Sequence, residues 1–249
     1  MAKKRLDLLV VERALAESRT QAQRLIMAGD VRVDGQVVYK PATQIAADAD
    51  ITVEEGPRFV SRGGEKLQAA LEHFELAVEG LVCADVGAST GGFTDCLIQA
   101  GAARVYAIDV AKGQLHWKLR SEQRVVPLEE VNARYLTELP EQVSLVVVDA
   151  SFISLQKLIP TALGWFKPGG GDLVVLIKPQ FEAGRQEVDK GKGVIRNPDI
   201  HARVVDETLV FSRGLGLEPV GWIESPILGP KGNKEFLAYM RLIPGGNAG

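Results

Sequence analysis

Apolar positions recur at helical spacing near the start of the chain. Leu6, Leu9, Val10, Arg13 and Leu15 predict one amphipathic helix. Ser18 opens a second: Ser18-x-x-Gln21 has the form of a capping box, and Gly29 suits a C-terminal stop. The period then changes to two. Val31-Arg32-Val33 alternates, Asp34-Gly35 is a hairpin turn, and Gln36–Tyr39 returns; Ile51–Val53 fits a further strand. Beyond residue 64 short apolar runs alternate with helical patterns. Strands fit Val82–Val86, Val105–Val110, Val143–Asp149 and Leu173–Lys178, with helices at Gly91–Ala100 and Ser154–Phe166. Asn197-Pro198 caps a long third helix, and Val220–Glu224 and Phe236–Leu242 close the series as strands. Strands buried on both faces and alternating with helices imply an α/β fold with a parallel, doubly covered sheet.

The segment EEGPRFVSRGGEK separates the two patterns and reads as a linker, through Gly56-Pro57 and Gly63-Gly64. The expected organisation is a small α+β domain over 1–57, a linker over 58–64, an α/β domain over 65–243 and a disordered tail over 244–249. The 249 residues are 46% hydrophobic and 24% charged, which excludes a mainly disordered chain. Two cysteines and three scattered histidines provide neither a disulfide framework nor a metal-ligand spacing, so no metal is expected. The start lacks the apolar core and cleavage site of a secretory signal, and no apolar run is long enough for a bilayer. The expectation is a soluble protein of the cytoplasm, away from membranes.

The net charge of −3 excludes a wholly basic protein, but the charge is uneven. Residues 1–40 hold eight Lys/Arg against five Asp/Glu. Arg19 and Arg24 lie on the capped helix, where arginines suit phosphate; a merely solvated face is the plain alternative. The order Arg5-Leu6-Asp7, Ser18-Arg19, Ala22, Ile26, Gly29, Val31, Val33, Asp34-Gly35 resembles the S4 domain, a small RNA-binding fold. The resemblance covers about the first 55 residues. It implies Arg5, Arg19 and Arg24 as RNA contacts.

The most informative stretch runs from Leu81 to Asp95: a buried strand, a glycine-rich turn and a helix. Such a turn lets backbone amides approach a ligand. Three readings compete. A dinucleotide site fails at Ser89, where GxGxxG requires glycine. A nucleophile elbow is met literally by Gly87-Ala88-Ser89-Thr90-Gly91, with Asp149 and His201 in formal order, but it would follow the first strand of the series. The third is an S-adenosylmethionine site, with Asp85, Gly87, Ala88, Ser89, Thr90, Gly91, Gly92 and Phe93 around the methionine end. Asp109 favours the third, because an acid at the end of the next strand can accept both ribose hydroxyls. Asp109 could instead cap a helix. Val110 adjoins it, and Asn132 either meets the adenine or simply forms a turn.

Asp149 and Lys178 close two very apolar strands. A lysine there needs a partner, and Asp149 is the obvious one; a structural ion pair is the plain alternative. Lys66 opens a helix after Arg62-Gly63-Gly64, and Glu235 precedes the last strand. The order Lys66, Asp149, Lys178, Glu235 matches the catalytic tetrad of FtsJ-like ribose 2′-O-methyltransferases. With the S4 module in front, the chain resembles the TlyA (hemolysin-like) family of ribosomal RNA methyltransferases. Ser61–Leu67, Asp85–Asp95, Asp149–Ser154 and Lys178–Glu182 carry the resemblance, which spans about 3–242.

The resemblance implies a Rossmann-like methyltransferase sheet behind a small α+β S4 domain. It implies S-adenosylmethionine as cofactor, ribosomal RNA or ribosomal subunits as partner, and cytidine as the modified nucleoside. Lys178 would take the proton of the ribose hydroxyl if Lys66 depresses its pKa, or both lysines would stay charged and stabilise the oxyanion. Asp149 would orient Lys178, and Glu235 would orient Lys66 or the ribose. The basic stretch Phe181–Pro198, with Arg185, Lys190 and Lys192, reads as a flexible loop that clamps RNA together with Arg62, or as an ordinary solvated loop. Phe93 and Phe152 are core or ligand wall. Three other functions are weighed: a membrane-active hemolysin, which lacks an apolar segment of adequate length; a non-catalytic RNA-binding or ribosome-assembly factor, which predicts damage to the tetrad; and an esterase using Ser89.

Overall fold

The computed structural model describes residues 3–54 and 56–243. The expected tail, 244–249, lies outside the described residues. The chain divides into two compact units, Met1–Arg58 and Phe59–Gly249.

The first unit contains β1 (Lys3–Arg5), α1 (Leu6–Glu12), α2 (Arg19–Ala28), β2 (Val31–Val33), β3 (Gln36–Val37), β4 (Gln44–Ala46) and β5 (Ile51–Val53). β1 pairs with β4, and β3-β2-β5 form a second small antiparallel sheet. The Ser18 hydroxyl accepts from the Gln21 amide, and Gly29 ends α2 in the left-handed conformation. Leu6, Val10, Ala22, Ile26 and Val31, all at 0% exposure, make the core that joins α1, α2 and β2. Asp7 is as deeply buried, and its carboxylate accepts from Arg5, Arg19 and Gln23 at 2.8–3.0 Å. The Arg5 guanidinium first, then Gln23 and Arg19, hold that carboxyl well below the usual carboxylate range against the opposing effect of burial.

The second unit contains α3 (Gly63–His73), β6 (Val82–Val86), α4 (Gly92–Gln99), β7 (Arg104–Ile108), α5 (Trp117–Arg120), β8 (Val125–Leu128), β9 (Leu145–Val148), α6 (Ile159–Leu163), β10 (Gly171–Ile177), α7 (Pro179–Glu182), α8 (Arg185–Lys190), α9 (Pro198–Gly214), β11 (Leu217–Glu224) and β12 (Phe236–Leu242). Phe59, 3% exposed, packs in this unit's core against Gly64, so residues 59–64 belong to it rather than standing free as a linker.

The sheet order is β11-β12-β10-β9-β6-β7-β8. The five strands from β10 to β8 are parallel, as expected. β12 runs antiparallel to both β10 and β11, which corrects the wholly parallel expectation. The β11–β12 connection carries only a 3-10 turn, too little for a crossover helix, so the two strands form a hairpin. β9 is buried along its whole length: Leu145 and Val147 enter the core on one face, Val146 and Val148 that on the other. Chain order reverses between β6 and β9, so the crevice for a ligand opens at their C-terminal ends.

Two further expectations change. The single helix over 154–166 is a 3-10 turn (Leu155–Lys157) followed by α6, because Pro160 cannot continue an incoming helix and sits at the start of a new one. The stretch 181–198 is not one flexible loop: it contains the end of α7 and all of α8, and Val194 and Ile195 are buried. Among the described residues no helix is long and apolar enough to cross a membrane, and no cluster of His, Cys, Asp and Glu could hold a metal ion.

Candidate active site

The turn after β6 is shaped by its contact with the end of β9. Gly87 has φ +84°, and a Cβ there would lie 2.6 Å from the Asp149 carbonyl oxygen, so only glycine fits both backbone and space. Asp85 is fully buried and accepts from the Thr94 hydroxyl of α4 at 2.6 Å, which ties the strand to the helix. Burial pushes its carboxyl up to about 7, with the charges of Asp149 and Asp109 adding and Thr94 opposing. Its second oxygen has no hydrogen-bond partner. Asp109, just past β7, accepts from the amides of Ser89 (2.7 Å) and Ala111 (2.8 Å), and so fixes the turn as well as facing the crevice.

Two cavities of about 500 and 540 Å³ meet at Gly87, Ser89, Asp149 and Ser151. The larger is lined by Asp109, Val110, Asn132 and Phe152, among others. Asn132 also accepts from the Arg134 amide, so the turn-forming role foreseen for it is present beside its place in the cavity. The smaller cavity is lined by Ala88, Thr90, Gly92 and Phe93, while Asp85 and Gly91 line neither cavity. Phe93 is 2% exposed, whereas Phe152 is 91% exposed with its ring 5.0 Å from that of Phe181.

The four residues drawn from distant parts of the sequence converge on the smaller cavity. Lys66 Nζ lies 2.5 Å from Glu235 Oε2, and Lys178 Nζ lies 2.6 Å from Asp149 Oδ1. Both lysines are buried, at 8% and 7% exposure, which their carboxylate partners make tolerable. Each lysine faces its own carboxylate, which places the two positive charges in separate pairs. Lys178 also donates to the Ser151 hydroxyl at 2.9 Å.

Ser151 had no role in the sequence reading; its signal was its place two residues beyond Asp149. Glu182 was likewise missed: it accepts from the Ser154 hydroxyl (2.7 Å) and the Leu155 amide (2.8 Å), pinning the loop after β9 to α7, and burial pushes its carboxyl up. Gly229 was missed too; a Cβ there would lie 2.1 Å from Glu235 Oε1.

The esterase constellation does not assemble. Ser89 Oγ donates to Gln114 at 3.2 Å, His201 Nε2 contacts the Ile195 carbonyl at 2.9 Å, and Asp149 is engaged by Lys178. Of the basic residues, Arg5 and Arg19 are held on Asp7, Arg24 is exposed, and Arg62 lines the smaller cavity. Arg185 stands 4.0 Å from Asp189, and Lys190 and Lys192 are exposed.

Residues 59–242 match the model of the FtsJ-like methyltransferase family, and residues 4–51 that of the S4 domain. The chain is 47% identical over 243 residues to the 16S/23S rRNA (cytidine-2′-O)-methyltransferase TlyA of Mycobacterium tuberculosis, covering 95% of this chain and 89% of that one. It is 42% identical to Hemolysin A of Brachyspira hyodysenteriae, covering 94% of this chain and 98% of the other. A solved structure described as a hemolysin, from Streptococcus thermophilus, is 42% identical with a TM-score of 0.72, over 98% of this chain and 90% of that one.

Proposed function

The chain belongs to the FtsJ-like methyltransferase family, in the TlyA group that joins this domain to an S4 domain, and from that premise we propose that it methylates the 2′-hydroxyl of cytidine in ribosomal RNA, in the cytoplasm, with S-adenosylmethionine as donor. The observation that carries the reading is the meeting of the Lys178–Asp149 and Lys66–Glu235 pairs beside the Gly87 turn.

The residues present suit that cofactor. Carboxylates of Asp85, Asp109 and Asp149 gather at the ends of β6, β7 and β9, a setting that favours a cation, and one buried oxygen of Asp85 lacks a partner. S-adenosylmethionine, when bound, supplies an electrophilic methyl group on a sulfonium cation. Asp109, Val110 and Asn132 would hold the adenosine, and Asp85 with the turn from Gly87 to Phe93 the methionine end, beside Asp149.

Lys178 has three N–H donors. One is directed to Asp149 and one to Ser151, which leaves one for the ribose hydroxyl oxygen. That contact stabilises the negative charge that develops on the oxygen as its proton passes to solvent water. Asp149 and Ser151 fix the ammonium group, and Glu235 does the same for Lys66. Holding the hydroxyl in line with the methyl carbon supplies a large share of the rate. Arg5, Arg19 and Arg24 in the first unit, and Arg62, Arg185, Lys190 and Lys192 in the second, are the RNA contacts of this reading.

The test uses methyl-labelled S-adenosylmethionine and ribosomal subunits from cells lacking the activity. Wild-type protein is expected to yield labelled 2′-O-methylcytidine, and Lys178→Ala roughly 10²–10³-fold less. Cofactor binding without transfer to any RNA would instead support a non-catalytic assembly factor.

A further inference from the structure

A third cavity, of about 310 Å³, opens behind the reacting groups. Lys178 and Glu235 line it as well as the cavity on their other side, so a ligand in it lies directly against the tetrad. Its remaining walls are largely apolar, with Phe152, Phe181, Val188 and Pro230. Two buried acceptor atoms break that pattern, Glu235 Oε1 and Gln180 Oε1, and Glu235 is held by Lys66 through its other oxygen. Gln180, 9% exposed, lines the cavity, and its side-chain oxygen Oε1 is buried without a hydrogen-bond partner.

Of the other polar groups in the lining, Lys231 is exposed, while Asn233 and Ser151 are already committed. Asn233 donates to the carbonyls of Gly193 and Pro230 and accepts from the Ile195 amide, and Ser151 accepts from Lys178. A buried acceptor left unpaired is costly, and native proteins rarely keep one without a purpose. The cavity therefore asks a flat, largely apolar ligand for hydrogen-bond donors, one of them at Gln180.

Building on the methyl-transfer reading above, we propose that Gln180 selects the target base, its Oε1 accepting a hydrogen bond from the exocyclic amino group of a cytosine held in this cavity. RNA-modifying proteins take unstacked bases into apolar or aromatic pockets and read their edges by hydrogen bonds. Cytosine presents an N4 amino donor at the position where uracil presents an O4 acceptor. Against an acceptor of the protein, cytosine pairs and uracil leaves two oxygens facing each other. A site built around a polar contact rejects the analogue that lacks it far more strongly than an apolar pocket does.

The experiment measures single-turnover methyl transfer by the full-length protein to ribosomal subunits reconstituted on transcripts that carry cytidine, uridine or the 4-desamino analogue zebularine at the modified position. Wild type is expected to prefer cytidine over uridine by roughly 10³-fold or more. Gln180→Leu, and Gln180→Met as a second apolar replacement of similar length, are expected to lose at least about tenfold on cytidine and to accept uridine to within about tenfold of it. Removing the amino group from the substrate is expected to cost wild type as much as Gln180→Leu costs it, and to cost the variant nothing more, the non-additivity that marks two partners of one contact. Undiminished discrimination in the apolar variants overturns the assignment of Gln180, and so does an equal loss on all three transcripts, which marks a structural role. If wild type methylates none of them, the methyl-transfer reading falls and the proposal falls with it.

Discussion

Burial makes the Asp85 carboxyl costly to ionise. In an unfolded chain its carboxyl ionises near 3.8, and burial in the fold, with two acidic neighbours, defers ionisation to about 7. The folded state thus retains a proton that the unfolded state has released. This residue's contribution to stability is undiminished below about pH 4, falls as pH rises, and is at its least favourable above about pH 7. The full penalty is on the order of 4 kcal/mol. Asp85→Asn keeps an acceptor for the Thr94 hydroxyl and removes the charge. The variant without cofactor is expected to resist urea better than wild type at about pH 8, with the gap closing towards about pH 5. Urea unfolding of both proteins at the two pH values checks this, and a gap independent of pH would mean that Asp85 ionises normally.

At the scale of elements, the β11–β12 hairpin loop determines where Glu235 stands. The Ser225 amide donates to the Glu235 carbonyl and the Gly229 amide to the Asn233 carbonyl, both at 2.8 Å, which folds the loop back on the last strand. Gly229 has an ordinary backbone conformation, φ −72°, that alanine adopts freely. Its necessity is steric: the added carbon would occupy the space of Glu235 Oε1. Gly229→Ala is expected to displace the carboxylate and, through it, Lys66, lowering single-turnover methyl transfer by about 10²-fold while cofactor affinity stays within about threefold. Calorimetric titration beside the kinetics separates the two effects, and a rate within about threefold of wild type would show that the loop yields. None of this loop geometry was legible in the sequence. The inner strands were, because continuous apolar runs such as Leu145–Val148 admit few other readings. β1 and β4 were not, since KKR and QIA carry no apolar alternation. The Lys178–Asp149 pair was legible at the ends of two apolar strands, but Lys66 and Glu235 only through resemblance to a family, because their contact joins residues 169 positions apart and no local pattern encodes it. Ser151 and Gly229 act through partners that only the folded chain brings near.

At the scale of the whole chain, the two units have separate hydrophobic cores. The cluster around Leu6, Val10 and Ile26 draws all its members from residues 6–53, and the two clusters flanking the large sheet draw theirs from residue 59 onward. Apolar burial is the main stabilising term, so each unit carries its own source of stability. Every residue assigned to the cofactor lies in the second unit, and the buried Asp7 that organises Arg5 and Arg19 lies in the first. A chain beginning at Gly56 is therefore expected to keep its thermal unfolding transition and to bind S-adenosylmethionine within about threefold of the intact protein, while its affinity for ribosomal RNA falls at least tenfold. The intact protein's RNA affinity is expected to drop steeply with added salt, as phosphate contacts by arginine and lysine require, and its cofactor affinity to change little. Calorimetry for the cofactor and filter binding for the RNA, each at two salt concentrations, decide between shared and divided labour. Should the shortened chain bind RNA as tightly as the intact one, recognition would lie with Arg62, Arg185, Lys190 and Lys192, and the charge concentrated in residues 1–40 would be no more than a solvated face.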